Sequence, residues 1–124
     1  MDKLTFEKAC KITGTDPNLL PGVEGLPQIT AKRIIADYKL EIIAKATNTT
    51  KGKVWIADFN DMSQMIFTGW LQWVPSLGAF VFSGTFYTGT DTRLGARFWF
   101  KTRETAKRFT EQNIDLINDL HRVG

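Results

Sequence analysis

Hydrophobic positions along the chain follow two different rhythms. Up to about residue 47, and again after about residue 102, they recur every three to four residues. Between Val54 and Lys101 they recur every second residue. The first rhythm predicts helices and the second predicts strands. Phe6, Ala9 and Ile12 mark a short helix over Thr5–Ile12, stopped by Gly14. A turn-rich stretch, TDPNLLPGVEGLP, follows and holds three of the four prolines. Pro17, Pro21 and Pro27 bias their preceding residues away from helix. Leu19, Leu20, Val23 and Leu26 are expected to anchor this loop to the core.

A long helix is expected from about Gln28 to Ala46. Its main stripe is Ala31, Ile34, Ile35, Tyr38, Ile42 and Ala46, widened by Leu40 and Ile43. So wide an apolar arc implies packing against more than one element. Four strands are expected next, over Val54–Phe59, Ile66–Val74, Ala79–Tyr87 and Arg93–Lys101. Their short connections favour antiparallel pairing. A last helix is expected from about Arg103 to His121, with Thr102 as N-cap and Ala106, Phe109, Leu116, Ile117 and Leu120 on one face. The sum is one α+β domain over residues 1–124, in the order α-α-β-β-β-β-α. It is an antiparallel sheet of about four strands with helices packed on one face.

Composition adds limits rather than an activity. The chain has 124 residues, 43% hydrophobic and 23% charged, which is ordinary for a globular domain. One cysteine, Cys10, excludes an intramolecular disulfide framework. No apolar run approaches a membrane span, and MDKLTFEKAC lacks the apolar core of a signal peptide. A reducing, cytosolic compartment is the expectation, with no membrane contact.

Net charge is +3, but it is unevenly spread. Residues 54–92 carry no Lys or Arg, whereas residues 93–108 carry six cations and one acid. Alternation through RLGARFWFK puts Leu94, Ala96, Phe98 and Phe100 toward the core. The other face then shows Arg93, Gly95, Arg97, Trp99 and Lys101. Arg103, Lys107 and Arg108 extend this set into the helix. Cations with an exposed tryptophan suit a phosphate backbone and a stacked base, or an acidic protein partner. A solvated face with long cations covering Trp99 is the plainer reading.

The segment 54–92 holds nine of the fifteen aromatic residues. They exceed what one face of a small sheet hides. Alternation also sends Trp70 and Trp73 to opposite faces. Trp70, Trp73 and Tyr87 are therefore candidates for a protein–protein or self-association surface, unless a three-layer core hides every ring.

Catalytic chemistry has little to work with. His121 is the single histidine and is expected to be a solvated residue at a helix end. Cys10 has no activating cation or histidine near it in sequence and is expected in or beside the core. One Cys and one His do not make a zinc site. Asp58-Phe59-Asn60-Asp61 offers oxygen ligands but lacks the calcium-loop spacing and reads as a polar turn. No catalytic residue, cofactor or metal is assigned.

Three stretches carry a family likeness: TFEKACKITGTDPNLLPGVEGLP, IIADYKLEIIAKATN and GARFWFKTRETAKRFTEQNIDL. Their order and spacing resemble a family of small uncharacterised proteins of Bacteroidetes and of their phages and prophages. In that family a Gly-Leu-Pro turn precedes a helix containing Ile-Ile-Ala-x-Tyr-Lys-Leu. A Trp-x-x-Asp loop follows, and then a Gly-x-Arg-x-x-Phe-Lys-Ser/Thr strand entering the last helix. The matching positions are Gly25, Leu26, Pro27, Ile34, Ile35, Ala36, Tyr38, Lys39, Leu40, Trp55, Asp58, Gly95, Arg97, Phe100, Lys101 and Thr102. The middle departs, with QMIFTGWLQW replacing a tyrosine-rich stretch. The likeness implies a phage or prophage gene product, cytoplasmic in the host or virion-associated. It brings no activity and no site residue. The leading expectation is a non-enzymatic accessory or structural protein acting through protein contacts; the alternative is a nucleic-acid-binding module.

Overall fold

The computed structural model describes residues 3–61, 63–89 and 98–121. Helix α1 spans Phe6–Thr13. The Thr5 hydroxyl accepts from the Lys8 N–H at its start, and Gly14, at φ 73°, closes it by returning Thr15 N–H to the Cys10 carbonyl. The loop that follows departs from expectation. Leu19, Leu20 and Leu26 are exposed, so they do not tie it to the core.

Helix α2 spans Gln28–Thr47, entered directly from Pro27. It packs against α1 on one side and the C-terminal helix on the other. Two neighbours bury a wide arc, which is why its apolar residues do not form a narrow stripe. The most deeply buried positions are Ala36, Leu40 and Ile43, so the buried face is turned from the expected stripe, and Ala31, Ile34 and Ile35 are only half-buried.

Among the described residues the strands form two separate hairpins rather than the expected single sheet. Strand β1, Thr49–Thr50, pairs with β2, Lys53–Val54, across Lys51 and Gly52. Both turn residues have left-handed backbones, φ 52° and 78°. This geometry matches the twist of a tight hairpin. The expected strand Val54–Phe59 ends there, and 55–61 is irregular. The main hairpin pairs β3, Met65–Val74, with β4, Ala79–Gly89, in antiparallel register. The fourth expected strand, Arg93–Lys101, lies mostly outside the described residues. Its described end meets β3 at one bridge, Phe67 with Phe100, through reciprocal hydrogen bonds of 2.9 and 2.8 Å.

Helix α3, Arg103–Gln112, is capped by the Thr102 hydroxyl on Thr105 N–H. Helix α4, Ile114–His121, continues it after a break at Asn113. Asn113 is buried, and its side-chain amide donates to the Phe109 carbonyl, competing with the regular ladder at that point. The core lies between α1, α2, α3 and α4, with the Phe100 and Phe109 rings tilted against each other at 4.7 Å. Phe67 and Leu71 of β3 pack against it. The expected α+β class stands, with helices against the main hairpin.

Candidate functional site

Residues 65–89 contain no Asp, Glu, Lys or Arg at all. The main hairpin is therefore free of charge along its whole length. It is also incompletely covered. Trp70, Trp73 and Tyr87 are each about half exposed (52%, 51% and 52%), and Leu77 in the turn is 66% exposed. None of the nine aromatic residues between Trp55 and Tyr87 is fully buried. The reading in which a three-layer core hides them all is thereby corrected.

The register explains how the rings are grouped. Trp70 stands opposite Gly84, and Leu71 opposite Phe82, so Ser83 is an extra residue and β4 bulges there. Gly84 accommodates the bulge at φ 143°, a backbone that side chains rarely adopt. Directly opposed residues share a face. Before the bulge, Phe80 and Phe82 therefore join Trp73 and Leu71. After it, Phe86 joins Thr68 and Trp70. Two ring pairs result: Trp73 edge-on to Phe80 at 5.1 Å and Trp70 tilted against Phe86 at 5.6 Å. Trp70 and Trp73 keep the opposite parity that alternation assigns them.

Helices grip the hairpin at three points. Gly69 abuts Thr110 of α3 so closely that an added Cβ would lie 2.7 Å from Thr110 Cβ and Cγ2. Asn118 of α4 accepts from Phe80 N–H at 2.6 Å and donates to its carbonyl at 2.9 Å, as a neighbouring strand would. Arg103 lies over the rings of Phe67 and Tyr87 and donates to the Thr85 hydroxyl at 2.7 Å. Tyr87 therefore presents one ring face to Arg103.

Between the hairpin and the helices is a half-open cavity of about 540 Å³. Trp70, Leu71, Phe86, Phe98, Trp99 and Leu120 supply much of its apolar wall, and Asp37 and His121 are the ionisable groups among the described residues that line it. Sequence periodicity does not assemble such a site, because its described residues come from α2, both strands of the main hairpin, residues 98–99, α3 and α4. One signal was present. A lone glycine in a strand, Gly69, marks a place of close approach.

The basic set fares unevenly. Arg93 and Arg97 lie outside the described residues. Trp99 is buried, at 9% exposure, against the expectation of an open ring face. Its backbone carbonyl accepts from the Asn48 amide at 3.1 Å, and its side chain lines the cavity. Only Phe100 of this segment is bridged, and 98–99 lie outside any strand, so strand alternation does not set the orientation of Trp99. Lys101, Arg103 and Lys107 are exposed, and Arg108 is half-buried.

The remaining candidates behave as structural groups. Cys10 is buried, and burial, reinforced by Glu7 and Asp16, raises its pKa. Its thiol stays protonated at neutral pH. Asp58 accepts from Asn60 N–H, and Asp61 accepts from the Ser63 N–H and hydroxyl, both closing their own loop. The Ser63 hydroxyl and amide hold the Asp61 carboxyl below its usual range. No group of three His, Cys, Asp or Glu side chains converges among the described residues. His121 is exposed at the end of α4, but its ring packs edge-on to Phe80 at 5.8 Å. Desolvation lowers its pKa, which favours the neutral imidazole. No described helix is long and apolar enough to cross a membrane.

No protein-family model matches this chain, and comparison with curated proteins and with solved structures finds no match.

Proposed function

We propose that this chain is a non-enzymatic accessory or structural protein, of the phage or prophage type its sequence resembles, acting through protein–protein contacts of its main hairpin. The observation that carries this reading is the charge-free hairpin with Trp70, Trp73 and Leu77 exposed. Interface centres are depleted of charge and enriched in aromatic rings. Isolated sheets usually protect themselves with charges, prolines or covering elements. Here the flanks are guarded locally, by Asn118 at Phe80 and by Phe100 at Phe67. The distal part of the hairpin carries no charge of its own.

The first occupant to test is a second copy of the chain. Hydrogen exchange at low and high protein concentration reads this directly. The reading expects amides of 65–89 to gain protection as concentration rises, with α1 unchanged. Uniform protection at both concentrations counts against self-association through the hairpin. The nucleic-acid alternative has less support, because Trp99 is buried and Arg103 is engaged with Phe67, Tyr87 and Thr85.

A further inference from the structure

We propose that the outer edge of β4, beside Arg103, takes up an extended peptide segment carrying one carboxylate side chain among uncharged residues. This goes beyond contact through the exposed tryptophans. The groups used are backbone groups of β4 and the guanidinium of α3, and the partner is not a second copy of the chain.

The edge follows from the pairing pattern. In an antiparallel pair, opposed residues alternate between two classes. One class bonds across the pair, and the next turns its N–H and C=O outward. Phe67 spends its N–H and C=O on Phe100, and Phe80 spends its own on the Asn118 amide. Both therefore belong to the outward class, as do the residues opposite them, Tyr87 and Trp73. The two anchors agree, because Phe67 and Trp73 lie an even number of residues apart on β3. Thr85, two residues before Tyr87, is outward as well. Among the described residues no hydrogen bond reaches these outward backbone groups of Thr85 and Tyr87. Asn118 thus caps the β4 edge at Phe80, and beyond the bulge that edge is unpaired, with Tyr87 about half exposed. Such an edge accepts an added strand through main-chain hydrogen bonds.

Arg103 specifies what that strand carries. Its guanidinium lies 5.7 Å from the centre of the Phe67 ring and 5.6 Å from that of Tyr87, and donates to the Thr85 hydroxyl at 2.7 Å. These three contacts fix an exposed cation over the edge. A guanidinium has several N–H donors, and among the described residues no carboxylate meets those of Arg103. Residues of an added strand that stand opposite Thr85 or Tyr87 share their face. That strand would lie about 4.8 Å from β4, so a Glu side chain at such a position reaches the guanidinium. A planar guanidinium already held in place suits a carboxylate taken in bidentate fashion. Exposed Lys101 and Lys107 add positive field beside it. Strand β4 of a second copy has no Asp or Glu and would leave Arg103 without its counter-ion.

The probe is the capped, labelled peptide acetyl-TVTEVTV-amide, with Gln in place of Glu as its neutral twin. Fluorescence anisotropy reads binding. The expected result is saturable binding of the Glu peptide, with the Gln peptide about 5–10-fold weaker, as loss of one charge-assisted pair implies. Arg103→Gln should bring the two peptides to equal affinity. In the parent chain, amide-resolved hydrogen exchange should show Thr85 and Tyr87 gaining protection when the Glu peptide is added. Trp73→Ala should leave peptide binding unchanged, and Arg103→Gln should leave the concentration dependence of the mass unchanged. Failure of this proposal is thereby separated from failure of the protein-contact reading.

Absence of saturation up to the solubility limit overturns the proposal. So does equal binding of the two peptides by the parent chain, or a Glu preference retained by a folded Arg103→Gln variant. If Arg103→Gln does not fold, hydrogen exchange of the parent decides: bound peptide without added protection at Thr85 and Tyr87 overturns the assignment.

Discussion

Replacing Gly69 by alanine tests the contact that fixes the hairpin to the helices. The backbone at Gly69 is extended enough for any residue, so the cost is steric alone. The new methyl would lie 2.7 Å from Thr110 Cβ and Cγ2 and meet the hydroxyl oxygen as well. Carbon atoms prefer about 3.5–4.0 Å, so the approach is about 1 Å too close. Rotating Thr110 does not help, because its Cβ is part of the clash. Thr110 is also buried at 3% exposure and bonded to the Ala106 carbonyl. Strand β3 and helix α3 must therefore separate, which loosens the Phe98 and Phe100 rings against Phe109. Overpacking of this kind costs about 1–3 kcal/mol. For a domain of this size that lowers the thermal midpoint by roughly 5–12 °C. Thr110→Gly in the same chain reopens the space. Alone it should cost about 1–2 kcal/mol through helix propensity and lost burial. The double variant should be no less stable than Thr110→Gly alone, giving a coupling above about 1 kcal/mol. Calorimetry or circular dichroism melting reads all four proteins. A Gly69→Ala midpoint within about 1 °C of the parent, or strictly additive effects, refutes the reasoning.

Three further outcomes follow from named groups. Asn118→Leu removes both hydrogen bonds to Phe80, and should cost about 1–3 kcal/mol in thermal melting while exposing the β4 edge to aggregation. Cys10 should resist a thiol reagent until the chain unfolds. Its folded pKa is raised, so its contribution is complete below the unfolded value of about 8.5 and fades at higher pH; Cys10→Ala should flatten that alkaline loss. His121 has a lowered folded pKa, so its contribution is present above the ordinary imidazole value of 6.5 and is lost as pH falls; melting of His121→Gln should show a shallower decline below that pH.

Helix positions were legible because capping and periodicity agree. Thr5 with Gly14 framed α1, and Thr102 started α3, where the side chains predicted them. The break at Asn113 was not, because it depends on a buried amide bonding back to Phe109. Both strands of the main hairpin were also readable, yet the facing of their rings was not. Phe80, Phe82 and Phe86 alternate in sequence, but the bulge at Ser83 puts Phe86 with Trp70 and the other two with Leu71 and Trp73. One inserted residue inverts the parity of everything beyond it. Trp55 to Phe59 has the composition of a strand without a partner strand beside it, so propensity alone did not make it one. Of the candidate surface, the exposure of Trp70, Trp73 and Tyr87 was foreseeable from the excess of aromatic residues. The burial of Trp99 was not, since only its neighbour Phe100 is bridged to β3 and strand alternation does not extend to Trp99.

If the charge-free hairpin is a protein-contact surface, absolute mass measured across a wide concentration range will register the association. The parent chain should rise above its monomer mass of 14.1 kDa as concentration increases. Trp70→Ala and Trp73→Ala should each shift that rise to at least about 5-fold higher concentration, as expected when an interface ring worth a kcal/mol or more is truncated. Circular dichroism should show both variants folded. A mass of 14.1 kDa at every concentration, or a rise that neither substitution moves, contradicts the account.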